Sequence, residues 1–231
     1  MSRRISGPRV VIISGPDGSG KTTQARILVD TLRRQGANAH YRWIRFVHLL
    51  SLPLLVYATT RKYTHYELLP SGRRVGYHTF WRSKLMSRIY PCLLYLDMVV
   101  AKVMYLDIPT FLFRRIIVCD RFAIDAMVDI MTDTRQSSFH ESRLGHKFLR
   151  LTPRKSVNIV LITDLHTILT RRSDLVVDRT LSMRTNLYTM LARDLGFQEI
   201  NGSREVSEIA GDLRRLVVNK VDVGEAINSA M

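Results

Sequence analysis

The stretch Arg9-Val10-Val11-Ile12-Ile13-Ser14-Gly15-Pro16-Asp17-Gly18-Ser19-Gly20-Lys21-Thr22-Thr23 decides the fold. Its first half is a short β-branched run closed by Gly-Pro, the pattern of a buried strand. Its second half fits G-x-x-x-x-G-K-[ST]. Ala25, Ile27, Leu28 and Leu32 then recur at helical spacing, and Gly36 ends that helix. Each residue type in the loop has a physical task. Glycines let the chain curl with backbone N–H groups turned inward and let a phosphate approach without a Cβ in the way. The helix that starts near Gly20 aims its positive end at the same anion. Lys21 brings a mobile positive charge for the β- and γ-phosphates, and Thr22 offers a hydroxyl to Mg²⁺. Gly15 to Thr23 is therefore the expected phosphate loop, with ATP and Mg²⁺ as its ligands.

Working outward, strands and helices alternate. Ala37 to Phe46 is predicted as a second strand, Arg115 to Cys119 as a third, Val157 to Thr163 as a fourth and Phe197 to Ile200 as the last. Helices are expected over Lys84–Tyr105 with a break at Pro91, and over Phe122–Met131, Phe139–Leu149, Leu165–Arg172, Thr180–Leu195 and Arg204–Val218. The tail from Asp222 is read as frayed. Such alternation predicts an α/β fold. The expected form is a P-loop NTPase three-layer sandwich, with a five-stranded parallel sheet and helices on both faces. In such sheets ligands bind at the carboxyl ends of the strands, and Ser14, Arg45, Asp120 and Thr163 all fall at predicted strand ends.

The chain reads as a single domain of 231 residues. An insertion of short helices and loops is expected at about 47–83, and a charged arm at about 165–180. Asp120-Arg121 follows the third strand. An Asp there can hold Mg²⁺ through water, and the Arg can fork onto phosphate oxygens. The competing reading is a salt bridge at a helix start with Asp120 as N-cap. The arm carries Arg171, Arg172, Asp174, Asp178 and Arg179. An Arg brought over the γ-phosphate by a closing segment accelerates transfer; a solvated charged helix explains the same composition.

The net charge is +15, with Arg pairs scattered rather than gathered in a tail. A solvated Arg-rich surface accounts for this. The alternative, an NTPase that binds nucleic acid, has neither a recognised module nor a basic–aromatic stripe to support it. Cys92 and Cys119 lack metal-ligand spacing and suggest reduced thiols in the cytoplasm. The start, Met1 to Arg9, is basic, and the apolar run after it is too short for a signal-peptide core. Leu93–Phe113 is greasy but interrupted by Asp97, Lys102, Asp107 and Pro109, which favours a buried helix over a membrane span. A second greasy patch, Phe46–Tyr57, leaves membrane contact open, without stable insertion.

Together these pieces resemble the thymidylate kinase family of nucleoside monophosphate kinases. The carriers are Gly15–Thr23 with its Asp17, the triplet Asp120-Arg121-Phe122, Leu169-Thr170-Arg171-Arg172, the helix with Tyr188, and Glu199-Ile200-Asn201-Gly202-Ser203. The resemblance implies transfer of the γ-phosphoryl group of ATP to dTMP, nucleotide substrates as partners, and a homodimer with Lys84–Tyr105 as the contact. It implies that Asp17 faces the acceptor sugar or a catalytic Arg, and that Arg121 grips the acceptor phosphate. Arg45 or, on equal spacing, Arg42 takes the place of a second acceptor-phosphate Arg. Arg171 or Arg172 would supply the lid's positive charge. Two departures stand out. Asp125-Ala126-Met127-Val128-Asp129 replaces a Ser with an Ala-Tyr pair. Leu96-Asp97-Met98 occupies the region of an Arg that stacks on thymine, so Asp97 is the acceptor-binding candidate there.

Overall fold

The computed structural model describes residues 8–45, 48–68, 70, 72 and 74–218. Phe46, most of the basic start and the tail from Asp222 lie outside them. The elements in chain order are β1 (Val10–Ser14), α1 (Lys21–Arg34), β2 (Ala39–Trp43), α2 (Leu52–Thr60), β3 (Thr64–Leu68), β4 (Arg74–His78), α3 (Lys84–Ala101), α4 (Ile108–Phe111), β5 (Ile116–Asp120), α5 (Ala123–Thr134), α6 (Arg143–Leu151), β6 (Ser156–Ile162), α7 (Leu165–Arg171), α8 (Leu181–Asp194), β7 (Gln198–Asn201) and α9 (Val206–Val218). Five strands form one wholly parallel sheet in the order β2-β5-β1-β6-β7. The expected α/β layering with a five-stranded parallel sheet is therefore observed.

Successive residues of β1 serve opposite faces, as the two-residue period of a strand requires. Val11 and Ile13 join Val118, Ile159 and Leu161 in a core covered by α1 and α9. Val10 and Ile12 join Ile117, Cys119 and Val160 in a larger core covered by α3, α5, α6 and α8. Burial on both faces explains why these strands read as continuous apolar runs. The register pairs Ile13 with Asp120 and Trp43 with Asp120, so β1, β2 and β5 end at one edge of the sheet.

Three expectations need correction. Residues 47–83 hold more than short helices and loops: β3 and β4 form an antiparallel hairpin paired from Thr64–His78 to Leu68–Arg74. Turn-forming residues between the two runs hid the pairing. The helix from Lys84 does not break at Pro91, which lies inside α3 and is buried. The irregularity falls at Lys102–Asp107 instead, which winds as a π-helix bridged by the Lys102–Asp107 ion pair (2.5 Å) before α4 continues the run. Third, Phe139–Glu141 is a separate 3₁₀ turn, and α6 begins only after the Ser142 hydroxyl caps Gly145 N–H.

The continuous run Lys84–Phe111 is long and apolar enough to cross a membrane by length and composition. One side of it, with Tyr90, Leu94, Met98, Ala101 and Leu106, is buried against the body. Leu85, Ile89 and Leu96 face outward.

Candidate functional site

The loop between β1 and α1 carries the densest chemistry. Gly15 has φ +145°, and a Cβ there would lie 2.6 Å from the Leu161 carbonyl oxygen. Gly18 has φ +85°, and its Cβ would lie 2.9 Å from a methyl of Ile168. Only glycine meets both the angle and the space. Lys21 opens α1, is buried, and folds its ammonium back to donate to the Pro16 carbonyl (2.5 Å) and the Ser19 hydroxyl (3.3 Å). Burial, reinforced by Arg121, brings its pKa down to about 7 against the pull of Asp17, Asp125 and Asp120. An anion held in the loop is what would keep this lysine charged.

Thr22 and Asp120 meet beside it. The Thr22 hydroxyl donates to Asp120 Oδ2 (2.5 Å), and the Tyr41 hydroxyl donates to the same oxygen (3.0 Å). Asp120 is the last residue of β5 rather than a helix N-cap, a position taken by Phe122. Asp120 Oδ1 is buried and accepts no hydrogen bond among the described residues. A hydroxyl and an unsatisfied carboxylate oxygen side by side fit a hard divalent cation such as Mg²⁺, which takes few protein ligands and completes its shell with water and phosphate. No cluster of three His, Cys, Asp or Glu suited to a metal occurs among the described residues. A cation here would therefore depend on those other ligands.

Arg121 and Asp17 join this corner to a second site. Arg121 adopts φ +72°, a left-handed conformation that costs energy for a residue with a Cβ. Its guanidinium donates to Asp17 and reaches Asp125 (3.3 Å) and the Tyr188 hydroxyl (3.4 Å). Arg45 reaches Asp17 (3.3 Å) and Asp129 (3.5 Å). Burial raises the Asp17 pKa, but Arg121, Arg45 and Lys21 outweigh it and hold the carboxyl well below the usual range.

Behind Asp17 opens a cavity of about 870 Å³. One wall is α5 with Asp125, Asp129 and Asp133, and Arg184 of α8 donates to Asp129 (2.5 Å). The opposite wall is the β3–β4 hairpin, so the insertion closes the cavity that the sheet alone leaves open. Val75 of the hairpin packs on Ile168, Leu175 and Leu181, and Glu67 pairs with Arg179 (3.6 Å). The 165–180 arm is thereby tied to the insertion.

Arg45 lines this cavity and Arg42 does not. Arg42 lies within β2, whereas Arg45 lies beyond its end at Trp43, where the chain meets the cavity. Asp97 is likewise corrected. It is wholly buried, and its oxygens accept from Leu50 N–H (2.7 Å), Ser51 N–H (3.0 Å) and the Ser51 hydroxyl (2.5 Å), so it secures the entry to α2 and does not line the cavity. Arg171 donates to the Gly202 (2.6 Å) and Arg204 (3.1 Å) carbonyls. Arg172 forks onto Asp174 (2.7 Å twice) with its stem close to Gly18. Asp133 and Arg184 were not singled out in the sequence, although the i, i+4, i+8 spacing of Asp125, Asp129 and Asp133 is a signal that could have marked that face.

No protein-family model matches this chain, and no curated protein matches it.

His78 lines the same cavity, with its Nδ1 2.9 Å from the Thr64 hydroxyl. Burial pushes its pKa down from 6.5 to about 4. The unfolded chain thus binds a proton between those values that the folded protein refuses. Folding stability from this group is complete above about pH 6.5 and falls as pH drops toward 4, by up to roughly 3 kcal/mol. Urea titrations of wild type and His78→Gln from pH 4 to 7.5 should show the difference between the two curves shrinking as pH rises. A difference independent of pH would contradict a neutral His78.

Proposed function

We propose that this chain is a P-loop kinase. In this reading it transfers the γ-phosphoryl group of ATP to a nucleoside monophosphate, with dTMP, giving dTDP, as the first acceptor to test. One observation carries the reading: Asp17, inside the glycine loop, lines an adjoining cavity and is clamped by Arg121 and by Arg45, which lines that cavity too. Donor loop and acceptor cavity thus share a wall, as in-line transfer between two bound phosphates requires.

The residues divide the work as follows. The backbone N–H groups of Gly15, Asp17, Gly18, Ser19 and Gly20, together with Thr23 at the helix start, would cradle the donor phosphates, while Pro16, which has no N–H, would fix the turn of the loop. Lys21 would neutralise charge on the oxygens between donor and transferred group. Thr22 and Asp120 would hold Mg²⁺, which supplies further charge neutralisation when bound. Arg121 and Arg45 would orient the acceptor phosphate. Arg172, released from Asp174, would reach over the loop from the arm, and Arg171 would brace it against the segment after β7. The likeness of Gly15–Thr23 and Asp120-Arg121-Phe122 to the thymidylate kinase family supports this assignment. The outward Leu85, Ile89 and Leu96 of α3 support the family's homodimer.

A coupled assay with Mg·ATP and a panel of nucleoside monophosphates tests the reading. Turnover with dTMP above the others is the expected result. Turnover confined to another nucleotide or phosphorylated small molecule keeps the kinase and replaces the acceptor. ATP hydrolysis stimulated only by nucleic acid would refute it.

A further inference from the structure

Helix α5 turns Asp125, Asp129 and Asp133 toward the cavity, stacked along about 12 Å of helix axis. The first two are satisfied. Asp125 accepts from the Ser14 hydroxyl (2.7 Å), Phe122 N–H (3.0 Å) and the Tyr188 hydroxyl (2.7 Å), and Asp129 is paired with Arg184 and Arg45. Asp133 differs. It is 4% exposed, lines the cavity, and has no hydrogen bond or ion pair among the described residues. Tyr90 of α3 lines the same cavity, is 3% exposed, and its hydroxyl has no hydrogen bond among the described residues. Both residues are buried and open only onto the cavity, so a ligand that displaces water there must supply their hydrogen bonds.

We propose that Asp133, with Tyr90, reads the edge of the nitrogenous base of a nucleoside monophosphate acceptor. The inference rests on the kinase reading above and supplies the residue that recognises the substrate. The phosphate end is set by Arg121 and Arg45 near Asp125, and Asp133 lies two helical turns further along the same face. A sugar phosphate alone does not span that length. An aliphatic phosphate spans it but leaves both polar groups bare. A ring bearing an N–H donor beside an acceptor atom satisfies both, and Leu94 and Met98, which line the same cavity, offer apolar walls to its faces. Burial, with Asp129 adding to it and Arg184 opposing, raises the Asp133 pKa well above the usual carboxylate range. A neutral carboxyl presents one donor and one acceptor, the complement of such an edge.

Calorimetry on the full chain tests this. Thymidine, uridine, cytidine, adenosine and guanosine 5′-monophosphates and abasic ribose 5-phosphate would each be titrated into wild type, Asp133→Asn and Asp133→Leu. Mg·ATP would be titrated into all three proteins as the control for the donor site. Wild type should bind at least one nucleotide about tenfold or more tighter than ribose 5-phosphate. Asp133→Asn, whose carboxamide keeps a donor and an acceptor, should stay within about threefold of wild type. Asp133→Leu should lose about ten- to a hundredfold, falling to the ribose phosphate level. Undiminished base preference in Asp133→Leu, with Mg·ATP binding intact, overturns this proposal and leaves the kinase reading standing. No heat with Mg·ATP in folded wild type overturns the kinase reading and this proposal with it.

Discussion

Lys21→Met should lower kcat by about a thousandfold while leaving the protein folded. The ammonium is buried and held by the loop's own Pro16 carbonyl and Ser19 hydroxyl, so it sits where the β- and γ-oxygens of a donor would lie. Fixed positive charge aimed at oxygens that gain charge during transfer is worth about 4 kcal/mol in a site that excludes water. The same burial makes the charge a burden in the empty protein, which is why its pKa falls to about 7. Methionine keeps the length and apolar stem but removes that burden. Its thermal midpoint should therefore equal or exceed that of wild type. Single-turnover kinetics and a thermal melt on the same preparation check both halves. A variant that retains most of its activity would show that Lys21 does not meet the reacting phosphate. A variant that is inactive because it has unfolded would contradict the electrostatic account of its burial.

The second large effect concerns Arg121. Arg121→Met should raise the acceptor KM by about a hundredfold, the loss expected when a charge-assisted, forked contact to phosphate disappears. A further consequence follows from Asp17. Arg121 is one of two cations on that carboxylate, and without it a poorly compensated negative charge remains beside the donor loop. Donor affinity should fall as well. Adding Asp17→Asn should restore donor affinity but not the acceptor KM, so the two variants are non-additive for ATP and additive for the acceptor. Arg121→Lys should recover only part of the acceptor effect, because an ammonium lacks the planar fork. Unchanged acceptor KM in Arg121→Met would remove Arg121 from the acceptor site and reduce it to a brace between Asp17, Asp125 and Tyr188.

The insertion bears on the same chemistry. The hairpin closes one side of the cavity proposed for the acceptor and leans on the arm through Val75, Glu67 and Arg179. An arm movement that brings Arg172 nearer the loop would move against this wall, so acceptor entry and donor closure share a mechanical element.

By itself the sequence determined the local features of this protein. The apolar run Val10–Ile13, the loop glycines and the helix after Lys21 follow from strand period, turn sterics and helix period, each acting over a few residues. Asp120-Arg121 at a strand end followed from the same reasoning, and so did the alternation that yields a parallel sheet. Tertiary structure alone decided what depends on elements far apart in the chain. Arg45 rather than Arg42 lines the cavity because the chain leaves the sheet after Trp43, ahead of Arg45. Asp97 is consumed by Leu50 and Ser51 because α3 packs beneath α2's entry. Asp129 finds Arg184 across 55 residues, while Asp133 forms no ion pair among the described residues. Such pairings carry no periodic signature, because a charge is spent or left over according to the packing that surrounds it.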